Sequence, residues 1–185
     1  MLTSTFTQSI RKVSRTLIVG TLLLLMNIVM TASPVSAYDA TGVTISIPSI
    51  GVSAPIVSIG IRAFPNGDVT WDTTELTTQV GFLQGTAWFG QGGNIVLGGH
   101  SELAERAPSV FYDLDQVVVG DEIVINSDGQ DIRYRVTSVS NVSYRDLSIL
   151  YPSTSERLTI MTCDTASLSG GNYSRRDVVV AERIH

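Results

Sequence analysis

Three side chains in this sequence carry the separate parts of an acyl transfer: a thiol, an imidazole and a guanidinium. Cys163 is the only cysteine of the chain. It closes the run Leu158-Thr159-Ile160-Met161-Thr162-Cys163-Asp164, so a β-rich segment ends and a thiol stands at its exit. A strand end facing a loop is a rigid platform for a nucleophile. A lone cysteine is equally a small buried hydrophobe when read by itself. His100 stands in Asn94-Ile95-Val96-Leu97-Gly98-Gly99-His100-Ser101, also just past an apolar run. Only one other histidine exists, the C-terminal His185. A thiol and an imidazole that meet in space make a nucleophile and its acid/base partner. Two arginines, Arg175 and Arg176, open the run Asp177-Val178-Val179-Val180-Ala181. Either could steady a developing oxyanion with its planar fork of donors, and spacing alone does not choose between them.

The compartment sharpens the thiol reading. Arg11, Lys12 and Arg15 precede an apolar run from Leu17 to Met30, and Ser33-Pro34-Val35-Ser36-Ala37 follows it. Basic, apolar and small-residue regions in that order describe a secretory signal cleaved after Ala37. The same stretch, counted from Thr16 to Ala32, approaches the ~20 residues of a membrane anchor. Both readings of 1–37 place the following domain outside the cytoplasm. A single cysteine in an exported chain has no internal disulfide partner, which favours a purposeful thiol.

Residues 38–185 hold nine basic and 17 acidic groups, a net charge of −8. That balance argues against a nucleic-acid partner. The same span has no lysine, which excludes a Schiff-base lysine and an isopeptide staple through the domain's own lysine. Glu75, Glu102 and Asp146 read as isolated solvated acids, so the expectation is a site with no metal and no cofactor.

The elements that must position these groups are β-strands. Period-two or continuous β-branched patterns predict strands near 43–47, 55–61, 94–97, 121–126, 132–139, 157–161 and 177–181. Turn residues punctuate them at Pro48-Ser49, Pro65-Asn66-Gly67-Asp68, Gly90 to Gly93, Ser127-Asp128-Gly129-Gln130 and Gly170-Gly171. Two short helices are expected, one over Thr73–Val80 with Asp72 as N-cap and one over Asp146–Tyr151 stopped by Pro152. Seven or eight strands with little helix predict an all-β fold, a single barrel or sandwich. The domain plan is a signal or anchor at 1–37, a linker at 38–42 and one domain at 43–185.

Taken together, these segments resemble the sortase family. Thr159-Ile160-Met161-Thr162-Cys163 matches the family's Thr-Leu-x-Thr-Cys signature, with isoleucine for leucine. Gly93 to His100 resembles its Gly-Asn strand leading to Gly-His. Arg176-Asp177-Val178-Val179-Val180-Ala181 fits its Arg-x-hydrophobic-hydrophobic-Val-Ala pattern, and that register selects Arg176 over Arg175. Phe111-Tyr112-Asp113-Leu114, Val119 to Ile123 and Ile47 to Val52 also fit. The resemblance implies a closed eight-stranded sortase-type barrel. It implies Cys163 as nucleophile, His100 as acid/base, Arg176 on the oxyanion side and Thr162 as a substrate contact. It further implies partners bearing a Leu-Pro-x-Thr-Gly-like sorting signal and an amine acceptor, a wall cross-bridge or a pilin lysine. Direct entry into the barrel without a lid resembles the small class D, E or F members. Two rivals stand beside it. One is an L,D-transpeptidase, whose cysteine normally follows Ser-x-Gly where Thr162 stands here. The other is a non-catalytic β-domain for adhesion or wall binding.

Overall fold

In the computed structural model residues 40–184 are described, and the expected signal or anchor at 1–37 lies outside them. Twelve strands form: β1 (Ala40–Ile47), β2 (Val52–Ile59), β3 (Ile61–Ala63), β4 (Val69–Trp71), β5 (Val80–Leu83), β6 (Asn94–Gly98), β7 (Glu122–Ser127), β8 (Gln130–Ser143), β9 (Arg157–Cys163), β10 (Leu168–Ser169), β11 (Asn172–Tyr173) and β12 (Arg175–Arg183). Eight of them close a barrel in the order β1-β2-β5-β6-β9-β12-β8-β7, which leaves no barrel edge open to pairing. The β2/β5 and β6/β9 pairs are parallel and the other barrel pairs are antiparallel. The expected all-β barrel is therefore the fold observed.

Alternation decides what each strand buries. Inward positions such as Ile45, Ile56, Leu97, Ile125, Leu158, Ile160 and Val179 form the barrel core. Each such side chain contributes roughly 1.5–3 kcal/mol on leaving water. A second, smaller cluster covers the outer face, where Val57, Ile59, Leu83 and Val96 pack with Leu76, Trp71 and Met161. Leu76 thereby pins the 72–79 segment onto the barrel wall beside β6 and β9.

Helix is scarcer than expected. Among the described residues it is confined to five single 3₁₀ turns, at Pro48–Ile50, Ala104–Arg106, Leu114–Gln116, Ser148–Leu150 and Thr165–Ser167. The helix expected over Thr73–Val80 is not formed: the segment is turn and bend, and Val80 begins β5. Asp72 accepts from both Thr74 N–H and its hydroxyl, at 3.1 and 2.5 Å, which closes a local turn in place of a helix N-cap. Gln79 does the same for Thr77. Threonine also forms helix poorly because its χ1 is restricted. Of the Asp146–Tyr151 helix one 3₁₀ turn survives, with Asp146 Oδ1 accepting from Ser148 N–H.

Asn94, at the start of β6, is 3% exposed and uses its whole amide. Its Nδ2 donates to the carbonyls of Ile149 and Tyr151 at 2.9 and 3.0 Å. Its Oδ1 accepts from Thr159 Oγ1 at 2.7 Å and from Arg157 Nε at 3.3 Å. One side chain thus ties β6 and β9 to the loop that follows β8. Asn94→Leu should leave the buried Thr159 hydroxyl and two carbonyls short of partners. We expect a loss of about 2–3 kcal/mol in denaturant-unfolding stability, the usual cost of orphaned buried polar groups. A variant as stable as the parent would show the network to be dispensable.

Candidate active site

Register sets Cys163 and Arg176 at one level of the barrel wall, at the end where the strand before His100 also finishes. In the antiparallel pair β9/β12, Arg176 lies directly opposite Cys163. In the parallel pair β6/β9, Gly98 faces Met161. β6 ends there, so His100, two residues past Gly98, and Cys163, two past Met161, both stand at this end of the barrel. In the barrel order β9 lies between β6 and β12, so the loop that carries His100 leaves from one side of the Cys163 strand and Arg176 stands on the other. Leu158 and Ile160 point into the core, which puts Met161 and Cys163 on the outer face. Cys163 is partly exposed, not sealed in the core.

Period-two alternation also separates the two arginines. Arg176 shares the face of its partner Cys163, and Arg175 shares the parity of Asp177 and Val179. Arg175 binds Asn141 on β8, through Nε to Oδ1 and through Nη2 to the backbone carbonyl at 2.5 Å. The Arg176 guanidinium instead donates to the carbonyls of Tyr173 and Arg175 at 3.3 and 2.9 Å. Those contacts fold it back beside the thiol.

Burial pushes the Cys163 thiol above its usual range. The Arg176 guanidinium opposes that shift, and the Asp177 carboxylate adds to it. Asp177 is itself pushed up by burial, although Asn141 Nδ2 donates to it at 2.6 Å. The cation nearest the thiol is therefore the one whose register matches it.

The His100 ring is held by the segment that was expected to be helical. Nε2 lies 3.3 Å from the Thr73 carbonyl oxygen. A carbonyl only accepts, so Nε2 carries the proton and Nδ1 is the other nitrogen, available for proton exchange. Ser109 Oγ donates to the Thr77 carbonyl at 2.6 Å, a second tie between this segment and the histidine loop. A continuous helix over 73–80 would have committed the Thr73 carbonyl to the Thr77 N–H, leaving it nothing to offer His100.

Close packing explains the glycine before the histidine. A Cβ on Gly99 would stand 2.7 Å from Phe111 Cδ2 and 2.9 Å from Val110 Cγ1. Phe111 is fully buried and cannot yield. Gly99 N–H also donates to the Met161 carbonyl at 3.3 Å, continuing the β6/β9 ladder toward the site. Gly99→Ala should therefore displace His100 and lower turnover about 100-fold, the scale reached when a catalytic group is misplaced by an ångström. Steady-state kinetics on a folded variant would measure it, and an unchanged kcat would show that the loop absorbs the methyl.

Thr162 is 4% exposed, and its hydroxyl donates to the Gly99 carbonyl at 2.9 Å. Its placement is that of a tie between two strand ends, not of a group lining an open groove. Glu102 is no solvated acid: its side chain is 4% exposed, it accepts from Tyr173 Oη at 2.8 Å and it pairs with Arg106 at 3.1 Å. The sequence gives only a hint of this, Glu102 standing two residues past His100 and Tyr173 three before Arg176. Among the described residues no group of three histidine, cysteine or acidic side chains converges as a metal site. A depression of ≈ 290 Å³, lined in part by Ile50, Val52, Thr78, Pro108, Val110 and Tyr112, includes none of His100, Cys163 and Arg176 in its lining.

The barrel agrees with what the chain is similar to. A sortase A from Corynebacterium diphtheriae, a lid mutant, superposes with a TM-score of 0.63 at 29% identity, over 81% of this chain and 73% of that one. Sortase C-1 from Actinomyces oris gives 0.62 at 31% identity, over 80% and 76%. A Clostridium perfringens sortase D5 transpeptidase gives 0.60 at 25% identity, over 80% of each chain. No curated protein matches significantly. The model of the sortase domain matches residues 45–184. The chain belongs to the sortase family, and membership implies a transpeptidase.

Proposed function

We propose that this chain is an exported cysteine transpeptidase that cleaves a Leu-Pro-x-Thr-Gly-like sorting signal and joins the freed acyl group to an amine. The observation that carries the reading is the pairing of Arg176 with Cys163 across β9 and β12, at the barrel end where β6 leads into His100. The Cys163 thiolate attacks the carbonyl carbon of the scissile peptide bond, because the thiolate is the nucleophilic form. Negative charge gathers on the carbonyl oxygen, where Arg176 and backbone N–H groups stabilise it. The C–N bond breaks as the His100 imidazolium gives its proton to the leaving amine. A thioester on Cys163 results. An incoming amine attacks that thioester, neutral His100 takes its proton, and the thiolate leaves to restore the enzyme. Two half-reactions through a covalent intermediate give ping-pong kinetics.

Residues 1–37 serve in this reading as a secretory signal or membrane anchor, so the enzyme acts on secreted proteins at the outer face of the membrane. The acceptor is a wall cross-bridge amine or a pilin lysine. A peptide library based on Leu-Pro-x-Thr-Gly, offered with several amine acceptors, tests the reading. Cleavage between threonine and glycine with capture of the acceptor is the expected result. A library left intact under conditions where Cys163 still reacts with alkylating agents would reject it.

A further inference from the structure

A carboxylate removed from water is costly unless it is paired and hydrogen-bonded. Glu102 meets that requirement with both oxygens. Oε2 accepts from Tyr173 Oη at 2.8 Å, and Oε1 lies 3.1 Å from Arg106 Nη2. The pairing has a conformational cost in the loop after His100. Glu105 and Arg106 stand at φ 58 and 61, the left-handed region that residues other than glycine seldom occupy. Leu103 N–H to the Ala107 carbonyl at 2.8 Å, and Arg106 N–H to the Leu103 carbonyl at 3.2 Å, hold the turn in that shape. The strained turn delivers Arg106 to Glu102, and Glu102 to Tyr173.

Tyr173 stands on the other side of the site. It ends β11 in the small β10/β11 hairpin between Cys163 and Arg176. Its backbone carbonyl accepts from Arg176 Nη1 at 3.3 Å. One residue therefore holds the guanidinium through its carbonyl and the histidine loop through its hydroxyl. The Glu102 hydrogen bond leads the causes that raise the Tyr173 hydroxyl above its usual range.

We propose that the Glu102–Tyr173 hydrogen bond is a positioning latch, joining the His100 loop to the Arg176 hairpin and setting the spacing of both groups about Cys163. The assignment rests on the transpeptidase reading of that site. Tyr173 and Glu102 are positioning residues, and neither needs to touch the reacting atoms.

The test uses the full chain in four variants, Y173F, E102A, E102Q and the double variant E102A/Y173F, with the peptide as acyl donor and hydroxylamine as acceptor. Y173F and E102A should each lower kcat about fivefold, the usual worth of one hydrogen bond, with KM little changed. The double variant should be no slower than either single one, because both remove the same bond. E102Q should keep most of the rate, since its amide oxygen still accepts from Tyr173. A second readout needs no substrate. The charges that act on the thiol are Arg176, which favours the thiolate, and Asp177, which opposes it, while the Tyr173 hydroxyl and the His100 ring stand at the same end of the barrel. Slackening Arg176 removes the cation that favours thiolate, so the iodoacetamide-labelling profile of Cys163 in Y173F should move to higher pH. An unchanged kcat and labelling profile in folded Y173F, multiplying losses in the double variant, or an E102Q as slow as E102A would each overturn the latch. Should E102A fail to fold, Y173F and E102Q decide the matter. A parent chain that transfers no peptide would defeat the transpeptidase reading instead, and the labelling profile still judges the latch.

Discussion

Replacing Cys163 with alanine is expected to abolish transfer of the sorting peptide to an amine, a loss of at least ~10⁴-fold. The size follows from chemistry with no substitute. Cys163 is the only thiol in the chain, and residues 38–185 contain no lysine that could form the covalent intermediate in its place. Without a nucleophile, His100 and Arg176 still polarise a carbonyl, but no thioester forms and the ping-pong pattern disappears. Turnover retained in the alanine variant would remove the covalent mechanism outright. The parent enzyme supplies a companion measurement. Burial raises the thiol above its usual range, with Arg176 opposing and Asp177 reinforcing the shift. A raised pKa means that the thiol form dominates at neutral pH. Alkylation of Cys163 should then climb about tenfold per pH unit across neutrality, with no plateau until alkaline pH. A plateau already present below pH 7 would mean that the thiolate is more stable than this environment allows.

The barrel was readable because most of its strands advertise themselves. β1, β7, β8, β9 and β12 alternate or run through β-branched residues, and turn residues mark their ends. β5 escaped because Val80-Gly81-Phe82-Leu83 is short and buried throughout, so it has no polar beat to count. It also follows a threonine-rich segment whose local side-chain hydrogen bonds resemble the start of a helix. The β3/β4 hairpin left only its turn visible, since strands of three residues, all exposed but Trp71, carry almost no pattern. Cys163 and His100 drew attention for a different reason: each is a rare chemical type just past an apolar run. Arginine is common in this chain, and Arg176 was picked from Arg175 only through the family resemblance. Their supports were not legible. The Glu102–Tyr173 bond joins residues 71 apart, and it depends on two left-handed backbone positions that no composition rule signals. The Thr73 carbonyl reaches His100 only because Leu76 anchors an irregular segment on the barrel wall, a tertiary contact that outweighs local preference.

The sharpest use of register is to tell two adjacent arginines apart. Arg176→Ala should lower kcat/KM at least ~100-fold, whereas Arg175→Ala should leave it within a few-fold of the parent. Arg176 lies opposite Cys163, on the thiol's face, where its guanidinium acts on the sulfur. Arg175 shares the opposite parity, and its donors are committed to Asn141. Losing Arg175 removes a largely exposed contact, and such contacts are worth at most ~1 kcal/mol. On the proposed mechanism, losing Arg176 removes the cation that meets the oxyanion. It also removes the one nearby charge that favours the thiolate, so labelling of Cys163 at neutral pH should slow as well. Arg176→Lys separates the two effects. It retains a positive charge near the sulfur, so labelling should stay close to that of the parent. It loses the planar fork that can donate to the oxyanion and to two backbone carbonyls together, so kcat should remain depressed. Full activity in the lysine variant would reduce the role of Arg176 to a point charge. A near-normal rate in Arg176→Ala, paired with a collapse in Arg175→Ala, would mean that β12 presents its other face to the substrate and that the register-based site is misplaced.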